Sequence, residues 1–147
     1  MKDPLMSKTR KFLRKLKFTL MEMVVVIAII ALLASVVTPL YFRHVRKAKI
    51  NTAKAQIVLI EQAVLDFRLE MNRLPTTLDE LVKNTSGDQK WAGPYLKQAV
   101  PKDPWGHPYE YRCPGTGGEY DIISYGSDGQ PGGSGEAADI DNYGEKN

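Results

Sequence analysis

The chain has 147 residues, a formal net charge of +3 and one cysteine, Cys113. That length suffices for one membrane segment and one small soluble domain, and a lone cysteine excludes an internal disulfide. The basic excess does not indicate nucleic-acid binding: residues 1–17 carry +6 and the remainder −3, so the positive charge belongs to the N-terminal leader alone.

The leader holds Lys2, Lys8, Arg10, Lys11, Arg14, Lys15 and Lys17 against Asp3. Residues 18–40 follow as one apolar run whose only charge is Glu22. About 20 apolar residues cross the hydrocarbon core as a helix. The positive-inside rule places residues 1–17 in the cytoplasm and the C-terminal domain outside. Arg43, Arg46, Lys47 and Lys49 weaken that asymmetry without reversing it. A cleavable signal peptide is the rival reading. Its apolar core usually spans about 7–15 residues and ends in small residues, whereas Thr38-Pro39-Leu40-Tyr41 offers no such site. Glu22 is costly in the span, about 2.5–3.5 kcal/mol at the bilayer centre. It either snorkels to the interface or is paired.

The apolar run passes without a turn into a helical pattern, interrupted only by Pro39, which removes a backbone hydrogen bond and loosens the helix. Ala53, Ile57, Ile60, Val64, Phe67, Met71 and Leu74 then recur at alternating steps of four and three. This stripe predicts a helix from about Phe18 to Asn72, half in lipid and half packed on its own domain. Pro75 ends it. Thr77-Leu78-Asp79-Glu80 has the form of a capping box and predicts a short helix to about Lys83. Asn84 to Lys90 is a polar loop, and Pro94, Pro101, Pro104 and Pro108 make the next stretch an irregular connector. Tyr109 to Cys113 and Tyr120 to Tyr125 read as strands joined by a hairpin loop at Pro114 to Gly118. From Gly126 the chain is rich in Gly, Ser and Asp, either a flexible tail or a loop ordered by an ion. The fold class is α+β, a long N-terminal helix packed on a small antiparallel sheet, with 1–17 as leader, 18–40 as transmembrane helix and 41–147 as the soluble domain.

No phosphate-binding glycine loop, supported carboxylate pair or nucleophile triad is present, so no enzyme is expected. His44 and His107 lie far apart in the chain and read as incidental. Cys113 reads as a buried structural thiol. Trp91, Trp105, Tyr109 and Tyr111 are expected to pack against the long helix rather than to form a ligand platform. The small and β-branched residues of the span say nothing specific by composition alone.

Five segments carry a resemblance. They are Phe18-Thr19-Leu20-Met21-Glu22 before the apolar run, Pro39, and Leu74-Pro75-Thr76-Thr77-Leu78. The others are Pro101-Lys102-Asp103-Pro104-Trp105-Gly106 with Tyr109 and Tyr111, and Ser124-Tyr125-Gly126-Ser127-Asp128-Gly129 running on to Asp139-Ile140. Together they resemble the type IV pilin-like family, and more narrowly the major pseudopilins of type II secretion.

The resemblance implies a pilin-like fold and a structural role: a subunit of a periplasmic pseudopilus that drives protein export. The subunit would wait in the inner membrane as a single-pass protein, N-terminus cytoplasmic and C-terminus periplasmic. Implied partners are further copies of itself, minor pseudopilins, a prepilin peptidase and an inner-membrane assembly platform, with energy from a separate ATPase. The peptidase would cut before Phe18, and the new amine is a methylation site. The family has glycine before the cut, where this chain has Lys17, so poor processing is expected here. Glu22 would pair with the N-terminal amine of Phe18 on a neighbouring subunit. The resemblance also implies calcium in the C-terminal loop, held by Asp128, Asp139 and the carbonyls of Tyr125 and Gln130. Glu136 or Asp141 lies near as a further oxygen ligand. Ala137 and Ala138 stand where the family often has acids, which weakens the site. The alternatives are a type IV pilus subunit, many of which carry a C-terminal disulfide that one cysteine cannot make, and a monomeric, membrane-tethered periplasmic binding module.

Overall fold

The computed structural model describes residues 18–144, so the leader with Lys17 lies outside the described residues. The chain divides into two compact units between Leu40 and Tyr41. One helix, α1 (Leu20–Met71), supplies residues to both. It starts on Thr19, whose hydroxyl accepts the Glu22 N–H at 3.1 Å and whose carbonyl accepts the Met23 N–H at 3.2 Å. A threonine at this position satisfies a donor that the first helical turn leaves open. The acid in that first turn also suits the positive end of the helix dipole.

In the first unit every described side chain is exposed. Beyond the Thr19 cap, the other two hydroxyls of the apolar stretch turn back onto the helix: Ser35 donates to the Leu32 carbonyl and Thr38 to the Ala34 carbonyl, both at 2.7 Å. The helix continues through Pro39.

In the second unit the stripe found in the sequence is the buried face. Ala53, Ile57, Ile60, Ala63, Val64, Phe67 and Met71 pack with Leu78, Leu81, Tyr109, Tyr120, Ile122 and Ile140 into one core. The helix stops at Met71 because Asn72 takes a left-handed conformation (φ 54°), while its N–H still bonds the Arg68 carbonyl at 2.9 Å. Asparagine is one of the few residues that adopts this conformation readily. The stop therefore precedes Pro75, the residue expected to cause it.

The sheet has three antiparallel strands in the order β1 (Glu110–Arg112), β2 (Asp121–Ser124), β3 (Ile140–Asp141). Tyr111 pairs with Ile122, and Ser124 with Ile140. Alternation along β2 sends Ile122 and Ser124 to the same face, continuous with Tyr120 before them. The third strand was not expected. Two residues carry no periodicity, and Ile140 becomes a strand residue only through its pairing with Ser124 and its burial.

Several local expectations are corrected. The capping box at Thr77 does not form: the segment is a four-residue 3-10 turn, Leu78–Leu81, without a side-chain cap. Its Glu80 carboxylate is taken instead by the Thr76 hydroxyl and by Arg73. Burial pushes the Glu80 carboxyl up, but these bonds and the Arg73 charge outweigh it and hold the group below its usual range. Cys113 is exposed, not buried. It lies just past Arg112, where the chain leaves the ladder for the hairpin loop. The aromatic residues pack as expected: Tyr109 is buried, and Trp91, Trp105 and Tyr111 are half-buried against the core. Tyr109 also donates its hydroxyl to Gln56 of α1 at 2.6 Å. Burial raises its phenol, and the nearby charge of Asp103 adds to the effect.

Candidate functional site

Two regions hold the residues singled out from the sequence. The first is the start of α1. Phe18 and Glu22 are both exposed there, with Glu22 in the first turn beside the Thr19 cap. Lys17 lies outside the described residues.

The second is the glycine-rich loop between β2 and β3. It folds back on itself: the Ser127 N–H bonds the Glu136 carbonyl at 2.8 Å. Gly126 is required at the fold, because its φ is +63° and a Cβ there would lie 2.4 Å from the Glu136 carbonyl oxygen. Asp128 accepts the Gln130 N–H at 3.2 Å. Asp139 reaches across and accepts the Gly132 N–H with both oxygens at 3.0 Å. Tyr125 opens the loop, and its hydroxyl accepts a bond from Arg112 at 2.7 Å. Glu136 lies in the 3-10 turn Gly135–Ala137, with its carboxylate 3.7 Å from Arg46 of α1. Asp141 is in β3 and accepts the Tyr143 N–H at 3.0 Å. Among the described residues, no three His, Cys, Asp or Glu side chains gather at one point.

Three residues that the sequence left without a role fasten this loop. Asp103 is buried. One of its oxygens accepts the N–H groups of Trp105 (3.1 Å) and His107 (2.8 Å), and the other accepts the Ser124 hydroxyl at 2.7 Å. Ser124 is buried at the end of β2, and its oxygen accepts the Gly126 N–H at 3.3 Å. His107, read as incidental, places Nδ1 at 3.0 Å from the Gly126 carbonyl. A carbonyl only accepts, so Nδ1 carries the proton. The available signal was Asp103 before a Pro-Trp-Gly turn, a position where Asp commonly bonds the main chain ahead of it.

Asp121 fastens the hairpin loop in the same way. It is 1% exposed, and its carboxylate accepts the Thr116 N–H and hydroxyl, both at 2.7 Å, and the Gly117 N–H at 3.3 Å. Burial alone pushes this carboxyl up. The bonds from Thr116, Tyr143 and Gly117 outweigh burial and hold it at about 2.

The comparisons with known proteins agree with this architecture. The family profile described as type II secretion system (T2SS), protein G, matches residues 41–143. The type II secretion system core protein G of Pseudomonas aeruginosa is 41% identical over 133 residues, covering 86% of this chain and 93% of the relative. That of Xanthomonas campestris pv. campestris is 40% identical over 122 residues, covering 83% and 85%. A crystal structure of the major pseudopilin from the type 2 secretion system of enterohaemorrhagic Escherichia coli is similar at 30% identity and a TM-score of 0.56. It covers 69% of this chain and 92% of its own. A profile spanning most of the chain, relatives near 40% identity over nearly their whole length and a shared fold show that the chain belongs to the type II secretion system protein G family.

Proposed function

We propose that this chain is a structural subunit of the pseudopilus of type II secretion, anchored by the first half of α1 until it enters the filament. The observation that carries the reading is α1 itself. Its first half exposes apolar side chains all round, and its second half is committed to the core of a small domain. One N-terminal apolar helix of this kind fits a membrane anchor. The anchored subunit has its N-terminus in the cytoplasm and its domain in the periplasm, following the charge of the leader. On assembly the exposed apolar faces of neighbouring helices replace lipid with each other, and close packing between small residues supports that exchange. Where the leader is removed despite Lys17, Glu22 then finds a cation on a neighbouring copy, the amine of Phe18. The further partners are minor pseudopilins, the prepilin peptidase and the assembly platform.

Cross-linking tests the filament. With Cys113→Ser and two cysteines on the exposed apolar half of α1, Ile27→Cys and Val36→Cys, each copy can bond two neighbours, and oxidation of cells that assemble the filament gives a ladder of oligomers. Monomer alone would favour the tethered binding module. Glu22→Ala leaves membrane insertion intact, since it removes a charge from the span, and lowers filament yield. Unchanged yield would sink the pairing.

Calcium in the C-terminal loop is the second part of the proposal. The donor set suits a hard cation: the carboxylates of Asp128 and Asp139, and main-chain carbonyls from Tyr125 and Gln130. Calcium takes 6–8 oxygens. The scarcity of gathered acids means that carbonyls and water supply most of them, with Glu136 drawn toward Arg46. Bound calcium would tie β2 to β3 in a domain that has no disulfide. A ligand at a hundredfold excess over its Kd adds about 2.7 kcal/mol. The full chain in detergent micelles should therefore melt several degrees higher in calcium than in chelator. Magnesium should substitute poorly, because it demands a smaller octahedral site. Asp128→Ala or Asp139→Ala should remove the difference, and identical melting of the unaltered chain in calcium and chelator would refute the site.

A further inference from the structure

We infer that Asp103, Ser124 and His107 form a positioning cluster that holds the opening of the glycine-rich loop and presets its main chain between Tyr125 and Asp128. The link to calcium rests on the reading above; the grip on the loop rests on geometry alone. The peptide groups of Gly126 are held on both sides, the N–H by Ser124 at 3.3 Å and the carbonyl by His107 Nδ1 at 3.0 Å. Both holds lead back to Asp103. Its carboxylate accepts the Ser124 hydroxyl, and it accepts the His107 N–H, which fixes the backbone from which the imidazole projects. The turn is closed by the main chain as well: the Asp103 N–H bonds the His107 carbonyl at 2.8 Å, and the Gly106 N–H bonds the Asp103 carbonyl at 2.9 Å.

Asp103 is buried and uses both oxygens for three bonds. Bonds to a charged acceptor are the stronger kind, so this is a firm pivot between two segments distant in the chain. The imidazole also lies against the next turn of the loop, where a Cβ on Gly129 would come within 3.2 Å of the ring. The candidate ligands Tyr125 and Asp128 sit on either side of the residues so held. Groups that orient metal ligands without touching the metal typically matter by about 10–100-fold in affinity, because the ordering cost is met before the ion arrives.

The test uses the full chain in detergent micelles, with calcium titration calorimetry and with amide hydrogen exchange in chelator. His107→Leu keeps bulk but removes the donor. His107→Asn restores an amide N–H where Nδ1 stood. Ser124→Ala removes the other hold. His107→Leu and Ser124→Ala should each bind calcium about tenfold more weakly, and their amides from Gly126 to Gly132 should exchange faster. His107→Asn should stay near the unaltered chain in both measurements. Wild-type calcium affinity in both His107→Leu and Ser124→Ala would overturn the inference. If the unaltered chain takes up no calcium, the calcium reading fails on its own and exchange decides the cluster. Faster loop exchange in His107→Leu but not in His107→Asn upholds it, and unchanged exchange in both overturns it.

Discussion

From Leu20 to Leu40, α1 exposes every side chain, although nearly all are apolar; from Tyr41 to Met71 the same helix buries a stripe and turns charge outward. A helix apolar all round has no solvated face and needs lipid or neighbouring helices on every side. A helix apolar along one stripe needs one partner, and here its own sheet and connector supply it. Mutations in the two halves should therefore be read by different assays: assembly for the first, domain stability for the second.

The largest expected contrast is between Phe67→Ala and Ile29→Ala. Phe67 is fully buried and meets Tyr95 edge-on at 5.3 Å. Its truncation should cost about 3–5 kcal/mol of domain stability in chemical denaturation. Ile29 is exposed, and its truncation should leave that transition where it was. A shift of similar size for both would break the distinction between the halves.

Next in size is Asp121→Asn, which should cost about 2 kcal/mol near neutral pH, the linkage value of a carboxyl held at about 2 instead of 3.8. The sign follows from the depressed folded value. The contribution is fully present above the unfolded value and is lost as pH falls through the folded one. Acid melting of the unaltered domain should thus lose about that much between roughly pH 4 and pH 2. Asp121→Asn should show a flatter profile there. Equal acid sensitivity in both proteins would remove Asp121 from this role.

Thr19→Ala should cost about 1 kcal/mol of local helix stability. Faster amide exchange should be confined to the first turn of α1, with domain melting unchanged. The smallest effect belongs to Leu69→Gln. Leu69 sits in the domain half of α1 but is 82% exposed. Its replacement should move domain stability by no more than about 0.5 kcal/mol. A larger loss would mean that the domain half depends on more than its stripe.

The long helix and its buried face were legible because they are periodic. Ala53 to Met71 repeat at helical spacing, and the structure buries that set with Ala63 added. The hairpin was legible from its glycine-rich turn between two aromatic and β-branched runs. Other features were hidden because they depend on residues far apart. His107 and Gly126 are separated by 19 positions, and Tyr109 and Gln56 by 53. No local pattern records such pairs. The apparent capping box at Thr77 failed for a related reason. Its glutamate is held by the Thr76 hydroxyl and the Arg73 cation, competitors that the spacing of Thr77 and Glu80 does not record.

The apolar span, the amphipathic continuation and the motifs that resemble pseudopilins can be read from residues in order along the chain. These follow from local composition and spacing, which the chain carries wherever it folds. Long-range packing makes Ile140 a strand residue, leaves Cys113 exposed, and sets a buried aspartate in a proline-rich turn to hold the glycine-rich loop. Each of these depends on which distant backbone groups meet once the core closes, because a hydrogen bond or a buried surface exists only when both partners arrive.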